Sequence, residues 1–196
     1  MKDMWLFDVT FGIFAICCLG IALRGIFSRR PIIFSSRWML MLFLLVFVPL
    51  LARGAALFGS HFRLGSLLPL LMPLLVLSLL FRNAQGYSIL GVSDEYFSNA
   101  LHAALHKLGL PFEESLSQIR LTSLDAALIV TLQSRMGAAQ LAIKPSLHRS
   151  TLKEIVQLMR DYFATVPGKT NLTTYVYYLL FGALMVVFAI YFSRHI

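Results

Sequence analysis

Apolar residues in this chain run in long blocks, interrupted once by a stretch patterned like a water-soluble protein. Trp5 to about Phe27, Trp38 to Phe58, Leu64 to Phe81 and Tyr175 to Phe192 are each close to the roughly 20 residues a helix needs to cross a bilayer. Tyr175, Tyr177 and Tyr178 at one end of the last block, and Tyr191 at the other, read as interfacial belts. In the second block Ala52, Ala55, Ala56 and Gly59 form a small-residue face suited to close helix packing. Pro69 and Pro73 predict a kink in the third, because each removes a helical donor. Blocks two and three are parted only by Gly-Ser-His-Phe-Arg, which predicts a hairpin across the bilayer, with a re-entrant pair that never crosses as the alternative.

Between the third and fourth blocks the periodicity changes. Gly86 to Val92 reads as a strand leading to Ser93, an N-cap followed by the first-turn acids Asp94 and Glu95. Phe97, Ala100, Leu101, Ala104, Leu105 and Leu108 then recur at three and four, and Gly109 before Pro111 stops the helix. Phe112 to Leu121 loosens toward alternation, Leu124 to Leu132 is rich in β-branched residues, and Ala138 to Ile143 alternates, so a meander of three strands is expected. A second helix begins at Ser146 or Thr151, carries the stripe Leu152, Ile155, Val156, Met159, Tyr162 and Phe163, and ends at Pro167-Gly168. The expected architecture is an integral membrane α-helical protein of four transmembrane helices with an inserted α+β domain in βαβββα order. Its parts are a three-helix region at 1–82, the soluble domain at 83–171, and a fourth helix with a short tail at 172–196.

Composition agrees with a membrane protein: 58% of residues are hydrophobic, 13% are charged, and the mean hydropathy is +0.77. The net charge of +8 sits mainly beside apolar blocks, which favours topology signals or anionic-lipid contacts over nucleic acid. Arg24, Arg29, Arg30 and Arg37 gather with no acid between the first two blocks, so the positive-inside tendency places that loop, and the soluble domain with it, in the cytoplasm of a bacterial-type inner membrane. Met-Lys-Asp is a feeble basic region for a cleaved signal. Cys17 and Cys18 lack a lipobox and are expected to be packing residues rather than a redox pair.

Little chemistry is written in the polar residues. His102 and His106 are spaced i, i+4 and are weak metal candidates, since neither a following Glu nor a nearby third ligand completes a site. Glu113 and Glu114 are adjacent and point to opposite faces of a strand. No phosphate-binding glycine loop, cofactor motif or nucleophile with an evident base is present. His148, Arg149, Lys153 and Arg160 make a basic face on the second helix, a candidate contact for an acidic partner or lipid. Asn171-Leu172-Thr173 fits a glycosylation sequon by coincidence. The expected function is a non-enzymatic scaffold or accessory subunit, with the bilayer and membrane proteins or further copies of the chain as partners. Its rivals are a membrane-tethered ligand sensor and a small enzyme or transporter built on Asp8, Arg24, Arg53 and His61.

Overall fold

The computed structural model describes residues 4–45, 75, 78, 86–115 and 118–195. Two proline-free apolar stretches form the long helices α1 (Met4–Ser28) and, at the other end of the chain, α5 (Thr173–His195). They pack antiparallel, because Gly25 meets Tyr175 while Phe14 meets Phe181, with ring centroids 5.8 Å apart. On α1 the buried residues Ala15, Cys18, Ala22 and Gly25 recur at three and four, a seam of small side chains that lets the backbones approach closely. Gly182 on α5 answers it, for a β-carbon there would lie 2.9 Å from Cγ of Leu19.

After α1 the chain makes a short strand, β1 (Ile32–Ser35), and a short apolar helix, α2 (Ser36–Leu45). The chain leaves the sheet at Ser36 and rejoins it at Gly86, and these two points are tied together. The Ser36 amide donates to the Gly86 carbonyl at 3.0 Å, and the buried hydroxyls of Ser36 and Ser88 lie 3.2 Å apart.

The remaining strands are β2 (Tyr87–Leu90), β3 (Phe112–Ser115), β4 (Gln118–Leu121), β5 (Ala126–Gln133) and β6 (Ala138–Lys144). All six strands form one antiparallel sheet in the order β1-β2-β6-β5-β4-β3. The helices α3 (Asp94–Lys107) and α4 (Arg149–Thr165) enclose a core against it. Ser93 caps α3 by accepting from the Tyr96 amide. Phe97, Leu101 and Leu105 of α3 and Ile155, Met159 and Phe163 of α4 meet Ile89, Leu121, Leu128 and Leu141 of the sheet. The alternation of β6 puts Ala139, Leu141 and Ile143 in this core and leaves Ala138, Gln140 and Ala142 on the other face.

Three expectations are corrected here. The first is the four-span fold: among the described residues two helices are long and apolar enough to cross a membrane, beside a six-stranded antiparallel sheet. Of the second block the described part is α2, whose length at about 1.5 Å per residue is half the roughly 30 Å of a bilayer core. The packing residues Ala52, Ala55, Ala56 and Gly59 and the third block's Pro69 and Pro73 lie outside the described residues. The second is the order βαβββα. Phe112 to Leu121 is two strands folded back on each other, Phe112 opposite Leu121 and Ser115 opposite Gln118. Alternation survives folding back, so a period alone cannot separate one long strand from a hairpin. The third is the basic linker after α1, which supplies β1, paired Ile32 to Leu90 and Ser35 to Tyr87, rather than a free loop.

Candidate functional site

The sheet joins the helix pair at one side chain. Tyr175, in the first turns of α5, is fully buried. Its ring lies between Gly25 of α1 and Gly91, which follows β2, and a β-carbon on either glycine would overlap it. Gly91 also has φ of +75°, a left-handed conformation open to glycine. The Tyr175 hydroxyl is 3.0 Å from the Arg30 carbonyl and 2.9 Å from that of Leu90, so its single proton is shared between the α1–β1 linker and the end of β2.

A second set of contacts surrounds this clasp. The amides of Gly91 and Val92 donate to the Gly137 carbonyl at 2.8 and 3.1 Å, and the Asn171 amide donates to the Gly91 carbonyl at 3.2 Å. The Asn171 side chain donates to Ser134 at 3.1 Å and accepts from the Thr173 amide at 3.0 Å. Thr174 donates its hydroxyl to Met136. The sequon asparagine therefore makes an Asx turn into the start of α5, with its side-chain amide engaged on both sides. Tyr96 pins the linker from α4 to α5 by donating to the Val166 carbonyl at 2.6 Å, and its ring packs on Phe163 with centroids 4.9 Å apart. Burial and the neighbouring Tyr162 raise its phenol pKa, while Arg30 pulls in the opposite direction.

The predicted arginine cluster divides. Arg24 and Arg30 line a cleft of about 540 Å³ together with Arg160, which reaches it from the last turns of α4 and donates to the Ile33 carbonyl at 3.2 Å. Arg29 and Arg37 are exposed and do not line that cleft. The face predicted on α4 divides likewise. Arg149 and Lys153 are exposed on the same flank as Arg160, but Arg149 lies about 16 Å farther along the axis, away from the long helices, with the half-buried His148 beside it. The part played by Arg160 beside Arg24 could not be read from spacing, since 136 positions separate them in the chain.

Beside the cleft lies a second cavity of about 850 Å³, walled by α1, α2 and α5 with β1 at its end. Its lining is apolar apart from Arg24, which it shares with the arginine cleft together with Ile32. Cys17 and Cys18 both line this cavity, and Cys18 is also buried in the helix seam. A smaller space of about 240 Å³ separates the open face of the sheet from α2 and α5, where Ser88, Thr131, Gln133, Gln140 and Thr174 meet apolar neighbours.

His102 and His106 both pack against Phe112. His102 stacks on Phe112 at 5.4 Å and pairs with Glu114, while His106 meets the edge of the same ring at 5.8 Å. Among the described residues no group of three or more His, Cys, Asp or Glu could hold a metal ion. Glu113 stands opposite Arg120 on the facing strand, and its neighbour Glu114 stands opposite Ile119. Arg53 and His61 lie outside the described residues, and Asp8 belongs to α1. Compared with known proteins, the chain matches no family model, no curated protein and no solved structure.

Proposed function

We propose that this chain is a non-enzymatic membrane scaffold or accessory subunit, anchored by α1 and α5 and docking to a larger membrane complex through its sheet domain. The observation that carries this reading is the Tyr175 clasp, which fixes the domain to the helix pair through a buried ring, two facing glycines and two backbone carbonyls. A binding surface held in one orientation to the bilayer costs less ordering entropy when it docks. The membrane part rests on the windows Val9–Ser28 and Thr173–Tyr191, of mean hydropathy 2.1 and 1.9, only 28% and 17% of which are buried within the fold. A core helix of a soluble protein hides more than that, and α5 lies too far from the N-terminus for a signal sequence. Ile16, Phe27, Leu180 and Val187, all more than half exposed, face where acyl chains would lie. The arginines near the domain end of α1 support a cytoplasmic domain on a bacterial-type inner membrane, by the positive-inside tendency.

A ligand-sensing role is favoured by one feature, the part-polar space between sheet and helices beside Thr131, Gln140 and Thr174. Purification of the tagged chain from its native membrane in mild detergent, with mass spectrometry of stoichiometric companions, separates the two. A constant set of co-purifying membrane proteins is expected. Recovery of the chain alone, as a monomer or symmetric oligomer, overturns the subunit reading in favour of the sensor.

A further inference from the structure

The two adjoining cavities have opposite character and share a wall. One is apolar, about 850 Å³, and runs along α1 from Phe14 to Arg24. At about 1.5 Å per residue that is roughly 15 Å, the thickness of one leaflet of the hydrocarbon core. The other, about 540 Å³, is lined by Arg24, Arg30, Arg160 and Ser28, with no acid among its lining residues. Arg24 and Ile32 border both. An elongated apolar slot one leaflet deep, opening onto three guanidinium groups at the level where headgroups lie, is complementary to a single class of molecule.

We infer that the chain binds an anionic phospholipid at this place, one acyl chain lying in the slot of α1, α2 and α5 and its phosphate held by Arg24, Arg30 and Arg160. The inference rests on the reading of α1 and α5 as bilayer helices. Guanidinium groups suit the phosphate because their planar forks match its oxygens. Arg160 links the lipid to the domain, since it already donates to Ile33 of β1 and belongs to a core helix. A bound lipid would thus bridge the helix pair, the edge strand and α4.

Trp38 lines the slot, and the chain has two tryptophans, so Trp5→Phe leaves it as the sole emitter. The full-length Trp5→Phe chain is reconstituted in phosphatidylcholine vesicles containing increasing fractions of phosphatidylglycerol brominated on its acyl chains, or of phosphatidylcholine brominated likewise. The brominated anionic lipid is expected to half-quench Trp38 at a mole fraction at least tenfold lower than the zwitterionic one. Each of Arg24→Gln, Arg30→Gln and Arg160→Gln should shift that point toward the zwitterionic value by about fivefold. Gly20→Leu supplies a variant that keeps the arginines and the fold, because Gly20 lines the slot and no atom lies within 4 Å of where its β-carbon would stand. Its side chain should obstruct the slot one helical turn from Arg24 and abolish the selectivity with the melting temperature unchanged.

Equal quenching by both lipids overturns the site, as it would if another segment of this chain fills the slot. Selectivity that survives either Gly20→Leu or the triple arginine variant also overturns it. Loss of the effect on adding millimolar inorganic phosphate would assign the arginines to a free anion instead of a lipid. Absence of quenching by either lipid would refute the membrane reading itself.

Discussion

The backbone of Gly25 lies flat against the ring of Tyr175, with no room for a β-carbon between them. Glycine in a helix interior ordinarily costs about 0.5–1 kcal/mol relative to alanine. At position 25 that sign reverses, because the ring is backed by Gly91 and cannot retreat. Gly25→Ala is therefore expected to destabilise by about 1–3 kcal/mol, the usual result of overpacking. Gly12→Ala, where the added carbon meets nothing within 4 Å, is the tolerated control. Thermal unfolding of both in detergent checks the pair.

Tyr175→Phe keeps the ring and removes the proton shared by the Arg30 and Leu90 carbonyls. Leaving the buried Leu90 carbonyl and the part-buried Arg30 carbonyl without their donor should cost about 1–3 kcal/mol. Limited proteolysis is expected to cut faster in the α1–β1 linker, while the α3–α4 core stays resistant.

Arg29 follows the last turn of α1 at φ of +47°, a left-handed conformation that strains a residue bearing a β-carbon. Its amide still closes the helix by donating to the Gly25 carbonyl at 3.0 Å. Arg29→Gly should stabilise the chain by about 1 kcal/mol, read as a higher melting temperature, because glycine adopts this cap conformation freely. It should leave the lipid selectivity described above intact, since Arg29 does not line the arginine cleft.

Tyr96 gives the junction a dependence on alkaline pH. Its folded phenol pKa is raised above the ordinary value near 10, chiefly by burial, so the folded state keeps a proton that the unfolded state releases. Its contribution is complete below pH 10 and is lost as pH climbs through the folded value. Denaturant midpoints measured between pH 9 and 11 should fall for the native chain, and fall less for Tyr96→Phe.

Leu147 is 84% exposed on the domain, far from the long helices, and serves as a topology probe. In a Cys17→Ala, Cys18→Ala background, Leu147→Cys should react with a membrane-impermeant maleimide only after the inner membrane is permeabilised. Labelling of intact spheroplasts would place the domain on the outer side.

Much of the domain could be read locally. Ser93 with Asp94 and Glu95 announces α3, the stripe from Leu152 to Phe163 announces α4, and the alternation of Ala138 to Ile143 announces β6. Each works because a helix repeats near 3.6 residues and a strand near 2, so one buried face leaves its period in the chain. Hydropathy likewise marks α1 and α5 by length and composition. It nominated four blocks with equal ease, since a count of apolar residues records how much surface wants burial and not what buries it.

Tertiary structure decided the rest. Ile32 to Ser35 is too short to declare itself and becomes a strand only because Tyr87 to Leu90 offers an open edge. Tyr175 looked like a belt residue, and became a buried clasp because Gly25 and Gly91, 66 positions apart, meet at its ring. Arg24 and Arg160 share a cleft for the same reason, brought together by packing between elements remote in the chain. Composition and period by themselves determined the long apolar helices and the amphipathic faces of the domain, because those are local averages over neighbouring side chains. The clasp, the edge strand and the arginine cleft depend on single residues meeting across long chain separations, and that information exists only once the backbone has folded.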